Sequence, residues 1–140
     1  MHPTTRPQRW LAAAALLLSI GAAGAAEVPR HVVQDPHYGD ALFYFFQERY
    51  FTSVTDLMVS QHFGRMPHHV DEAELLRGGL LLSYGLHREA GAIFAQLIER
   101  GAEPPVRDRA WFYLAKIRYQ RGLPKLAEQA IGHIGKNLPP

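Results

Sequence analysis

The stretch DEAELLRGGLLLSYGLHREAGAIFAQLIERG, residues 71–101, reads as two amphipathic helices joined at a glycine. Leu75, Leu76, Gly78, Gly79, Leu82 and Ser83 recur at three- and four-residue spacing, the period of one helix face. Asp71 is placed to cap that helix at its start. Gly85 ends it, because glycine adopts the left-handed conformation without steric cost. Ala90, Ile93, Phe94 and Leu97 mark a second helix over 87–100, which Gly101 closes.

The same layout returns at a step of 37 on both sides. Ala41, Gly78 and Ala115 form one column; Glu48, Gly85 and Gly122 a second; Ser53, Ala90 and Ala127 a third; Leu57, Phe94 and Ile131 a fourth. Pro67 and Pro104 add a fifth. Small residues stand over small ones and large apolar residues over large ones. A fixed period of this length signals stacked units, none able to bury its apolar face alone. In the first unit Asp35-Pro36 signals a helix start ahead of Tyr38, Ala41, Leu42 and Phe45. Its second helix begins at Tyr50, carries Val54, Leu57, Met58 and Gln61, and stops near Gly64. In the third, a helix over 106–120 breaks at Gly122 and a partner runs from Pro124 through Ala127 and Ile131 to Ile134. Ala90 and Ala127 are expected to face Gly78 and Ala115 across each hairpin, with Phe94 and Ile131 filling the space beside the contact.

These residues resemble the tetratricopeptide repeat family. The third unit matches its signature best, through Trp111, Leu114-Ala115, Gly122, Ala127, Ile131 and Pro139. The second supplies Gly78, Gly85, Ala90 and Phe94; the first keeps only Ala41, Tyr50, Ser53 and Leu57. Two features depart from the pattern. The family unit is about 34 residues, so three extra residues are assigned to the connections near Pro67-His68-His69 and Pro104-Pro105. Arg118 stands where the family has tyrosine, with Tyr119 one place late. The resemblance implies an all-α fold, a right-handed α-solenoid of three antiparallel hairpins over 35–68, 69–105 and 106–140. It also implies a concave surface lined by the first helices: Tyr38, Leu42, Phe45 and Phe46, then Leu75, Gly79 and Leu82, then Arg109, Phe112, Lys116 and Tyr119. Such an aromatic groove with a basic end suits a protein or peptide partner, since aromatics and arginine dominate interface centres. A carboxylate clamp of the kind some family members carry is not expected, because Leu75, Leu76 and Gly79 offer no donors.

Residues 1–26 read as a secretory signal peptide: Arg6 and Arg9, an apolar run over 10–20, then small residues up to Ala25 and Ala26. The run is too short for a permanent span, which needs about 20 residues. Cleavage after Ala25 or Ala26 and a periplasmic or secreted location follow as expectations, with 27–34 as a linker. Of 15 basic residues, losing Arg6 and Arg9 leaves 13 against 13 acidic ones, all at or beyond Glu27. No basic field remains to steer nucleic acid. Cysteine is absent, so disulfides and an N-terminal lipid anchor are excluded and apolar packing alone holds the fold.

Catalysis needs a nucleophile, base or metal cluster converging in a pocket, and no motif supplies one. His62, His68 and His69 are the only grouping that approaches a metal set, but adjacent histidines on a loop point in different directions. Asp71, Glu72 and Glu74 suit the first turn of a helix, where they favour the macrodipole. The expectation is a non-enzymatic interaction module, without metal or cofactor. Alternatives are an assembly subunit, the N-terminal part of a longer solenoid, or a histidine-based metal binder. The last hairpin is expected to need cover, including self-association, since an open terminal face exposes apolar surface.

Overall fold

The computed structural model describes residues 32–135. The expected signal peptide, the first part of the linker and Pro139 lie outside the described residues. Within them there are six α-helices and no strand: α1 Pro36–Phe46, α2 Tyr50–His62, α3 Val70–Ser83, α4 His87–Glu99, α5 Pro104–Gln120 and α6 Pro124–Ile131. Three residues separate α1 from α2, α3 from α4 and α5 from α6. Each of these pairs packs together, so its two helices run back along one another. Between pairs, α2 packs on α3, α4 on α5, and α3 on α5.

One local device ends five of the six helices. Glu48, Gly64, Gly85, Gly101 and Gly122 all have positive φ, between 60° and 78°. Each donates its N–H to the carbonyl three residues back, and the next residue donates to the one five back, as in Gly85 to Leu82 and Leu86 to Leu81. This left-handed cap satisfies carbonyls that a helix end would leave orphaned. Glycine is the residue that adopts it freely; Glu48 adopts it at a cost of about 1–2 kcal/mol.

The columns translate into packing. A Cβ added to Gly78 would lie 2.7 Å from Phe94 Cε1 and 3.2 Å from Ile93 Cγ2, so the buried Phe94 ring occupies the space a side chain would need. It is Phe94, more than Ala90, that meets Gly78. In the third pair Ala115 packs with Ala127 and Ala130 beside Trp111. In the first, Ser53 Oγ donates to the Ala41 carbonyl at 2.7 Å. Leu57, Leu80, Phe94 and Leu97 are the largest fully buried apolar side chains, each contributing about 1.5–3 kcal/mol relative to exposure.

Several expectations are corrected. Asp71 does not cap α3: it lies inside the first turn and ion-pairs with Arg100. The Asp35 carboxylate is no cap either. Both its oxygens are taken by His68, from the backbone N–H at 2.8 Å and the ring Nδ1 at 2.7 Å. Pro104 and Pro105 belong to the first turn of α5, where a missing N–H costs nothing. Pro67, His68 and His69 do lie in a long connection, seven residues between α2 and α3 against four between α4 and α5, whereas the first helices lengthen from 11 to 14 to 17 residues. Helix α6 ends at Ile131, short of Ile134. Ile131 itself is 56% exposed, although Leu57 and Phe94 in the same column are buried.

Candidate functional site

Arg109, Phe112, Lys116 and Tyr119 follow one another on α5 at steps of three, four and three, which aligns them along a single face. All four are exposed. Their counterparts one and two units earlier are not. Tyr38, Leu75 and Phe112 share a column and are 7%, 8% and 50% exposed. Tyr38 packs into the core with Met66 and Ala73, and Leu75 with Val106 and Ala110, in each case against the following hairpin. Phe45 and Leu82 are half-buried, whereas Tyr119 in their column is 71% exposed. Leu42 and Gly79 are half-buried and Lys116 is exposed. The lining assigned to three helices is thus uneven: Tyr38 and Leu75 belong to the core, and the open aromatic surface concentrates on α5. Phe46, at the end of α1, is exposed with Phe43, while Phe45 turns inward against Tyr50.

Trp111 marks the boundary of this face. It is half-buried on the alanines of the third pair, and the His133 ring stacks on it at 4.2 Å.

Polar chemistry gathers at the junction of the first and second pairs. Gln34 donates its backbone N–H to His69 Nε2 at 2.9 Å. Neutral His69 therefore carries its proton on Nδ1, which faces Glu72 Oε2 at 3.2 Å. The His69 ring is buried and stacks on Tyr38 at 4.6 Å. Burial, then the Glu72 charge, push the Tyr38 hydroxyl up to about 12 against a smaller opposing effect of Arg109. Burial acts to raise the Asp35 carboxyl, but its hydrogen bonds with His68 prevail and hold it below its ordinary 3.8. These contacts lock the segment before α1 onto the start of α3, a structural task that occupies His68 and His69, whereas His62 packs edge-on against Phe63. Among the described residues no three His, Cys, Asp or Glu side chains converge as a metal set.

One feature escaped the linear pattern: a cleft of about 500 Å³ between α4, the second half of α5 and the start of α6. Leu114, Ile117 and Leu126 line it with Arg88, Arg118 and Arg121. Its members come from three helices, so no local motif announces it. The readable signal was Gly91, which stands in the column of the buried Val54. No described helix is long and apolar enough to cross a membrane.

A comparison of the chain with protein-family models, with curated proteins and with solved structures finds no match.

Proposed function

We propose that the chain is an exported, non-enzymatic helical repeat protein of tetratricopeptide type, a three-hairpin solenoid that binds a protein partner through the open face of α5. The observation that carries this reading is the contrast within one column: Tyr38 and Leu75 are covered by the next hairpin, and Phe112 is not. The column that is apolar and covered in two units is apolar and exposed in the third. With Phe112 and Tyr119 as anchors and Arg109 and Lys116 beside them, the α5 face suits a helical segment with apolar residues on one side and carboxylates flanking them.

The test is a photo-crosslinking side chain in place of Tyr119, introduced in the producing cell, with adducts identified by mass spectrometry. One discrete adduct that disappears when Phe112→Ala is added supports the reading. Adducts no different from those formed by the same group at Arg100 contradict it.

Ile131 favours a second reading. Its exposure beside α5 extends the apolar face over the last pair, as suits a subunit stacked in an assembly, and light scattering at rising concentration distinguishes the two. A clean monomer throughout removes the assembly reading.

A further inference from the structure

The cleft between α4 and the α5–α6 pair has a specific structural origin. In the column of Gly91 the first unit carries Val54, which is buried. Gly91 leaves that volume empty: a Cβ added there would meet only Ile117 Cδ1, at 3.8 Å. At three lining positions Phe51, Leu81 and Tyr84 of the preceding unit are replaced 37 residues later by Arg88, Arg118 and Arg121, and at two others Arg77 and Glu89 are replaced by Leu114 and Leu126. Three apolar side chains have become three guanidinium groups over a floor of Leu114, Ile117 and Leu126, and no acidic residue lines the cleft. None of the three arginines has a carboxylate within 4.0 Å among the described residues. Arg118 Nη1 donates to the Leu126 carbonyl at 3.2 Å, which holds its guanidinium against α6 at the rim.

This surface is separate from the aromatic stripe. At about 100° per residue, Leu114, Ile117 and Arg118 point to the side of α5 opposite Arg109, Phe112, Lys116 and Tyr119. We propose that the cleft is a second binding site, for a peptide segment in which carboxylates flank an aliphatic or aromatic side chain. The apolar side chain enters the space left by Gly91, and the carboxylates pair with the arginine forks, whose planar donors match carboxylate geometry. A bare inorganic anion would use the guanidinium groups and leave the apolar floor unoccupied. The charge of the rim and the apolar floor together select the amphiphilic segment. The site does not depend on the α5 face having a partner.

Fluorescence anisotropy on the full chain tests this with a labelled hexapeptide: two aspartates, leucine, phenylalanine and two glutamates. The hexapeptide binds saturably, and its asparagine–glutamine counterpart binds at least tenfold more weakly. Gly91→Val, which fills the cleft as Val54 does in the first unit, weakens binding at least tenfold without lowering the melting temperature. Arg88→Gln with Arg121→Gln does the same, while Phe112→Ala with Tyr119→Ala leaves it unchanged. Equal binding of the acidic and amide peptides overturns the proposal, as does no saturable binding. Full displacement by equimolar inorganic phosphate makes the cleft a plain anion site and overturns the peptide assignment. Loss of binding only in the Phe112 and Tyr119 variant moves the contact to α5 and also overturns it.

Discussion

Gly78 and Gly79 are neighbours on α3 with opposite surroundings, and replacing each by alanine separates helix propensity from packing. At Gly79 a Cβ meets nothing within 4 Å; at Gly78 it meets the Phe94 ring at 2.7 Å and 3.0 Å and Ile93 at 3.2 Å. Both substitutions gain the propensity of alanine over glycine, about 0.8–1 kcal/mol in a helix interior. Only Gly78→Ala forces the fully buried Phe94 ring to move, an overpacking cost of about 1–3 kcal/mol. Gly79→Ala is therefore expected to stabilise by about 0.5–1 kcal/mol. Gly78→Ala falls below it by about 2 kcal/mol, roughly 10 °C in melting temperature for a domain of this size. Urea unfolding followed by far-ultraviolet circular dichroism measures both, with equal m-values as the check that only stability changed. Adding Phe94→Leu frees room beside the new methyl, so the double variant should lose less than the sum of the two single changes. Equal stability of Gly78→Ala and Gly79→Ala would refute the close approach, and with it the reason for small residues in that column.

Glu48→Gly replaces the one non-glycine residue in a left-handed cap and is expected to stabilise by about 0.5–1 kcal/mol, the relief of strain exceeding the added flexibility of the unfolded chain; thermal melts decide it. Trp111→Ala removes a half-buried ring from Ala115, Ala127 and Ala130 and from its stack on His133, and should cost about 2 kcal/mol, below the range for a fully buried tryptophan. The Asp35 carboxyl is held below 3.8, so its stabilising contribution is present above that pH and lost as pH falls through its lowered folded value; Asp35→Asn should differ from the parent at pH 6 and converge with it in acid. Tyr38 behaves oppositely: with its hydroxyl raised from 10.0 to about 12, its contribution is full below pH 10 and lost as pH climbs towards 12, a decline that Tyr38→Phe should remove.

Much of the fold was legible because its punctuation is chemical. Gly64, Gly85, Gly101 and Gly122 end helices where positive φ is required, so four helix ends are marked by residue type alone. The column of Gly78 correctly indicated close approach, although the ring of Phe94 rather than Ala90 fills it. Helix starts were harder. Proline at Pro104 and Pro105 reads equally as loop or first turn, and Asp35 and Asp71 offer the same oxygen to a cap, to His68 or to Arg100. Such choices are decided by partners distant in the chain.

The candidate surface was legible only in part, for a related reason. Periodicity shows that Arg109, Phe112, Lys116 and Tyr119 share a face of α5, but only the family resemblance singled that face out as a binding surface. It could not reveal that Tyr38 and Leu75, at equivalent positions, are covered. Equivalent positions in a repeat differ in exposure according to what stacks on them. The arginine cleft was hidden further, since it is created by the absence of a side chain at Gly91 and completed by residues from α4, α5 and α6.

If the proposed stacking holds, each hairpin covers the one before and the third presents an open face. Solvent paramagnetic relaxation measured on the side-chain protons of Tyr38, Leu75 and Phe112 addresses it at one repeat position. Weak relaxation is expected for Tyr38 and Leu75 and strong relaxation for Phe112, in line with exposures of 7%, 8% and 50%. Comparable values at all three would contradict both the stacking and the open face.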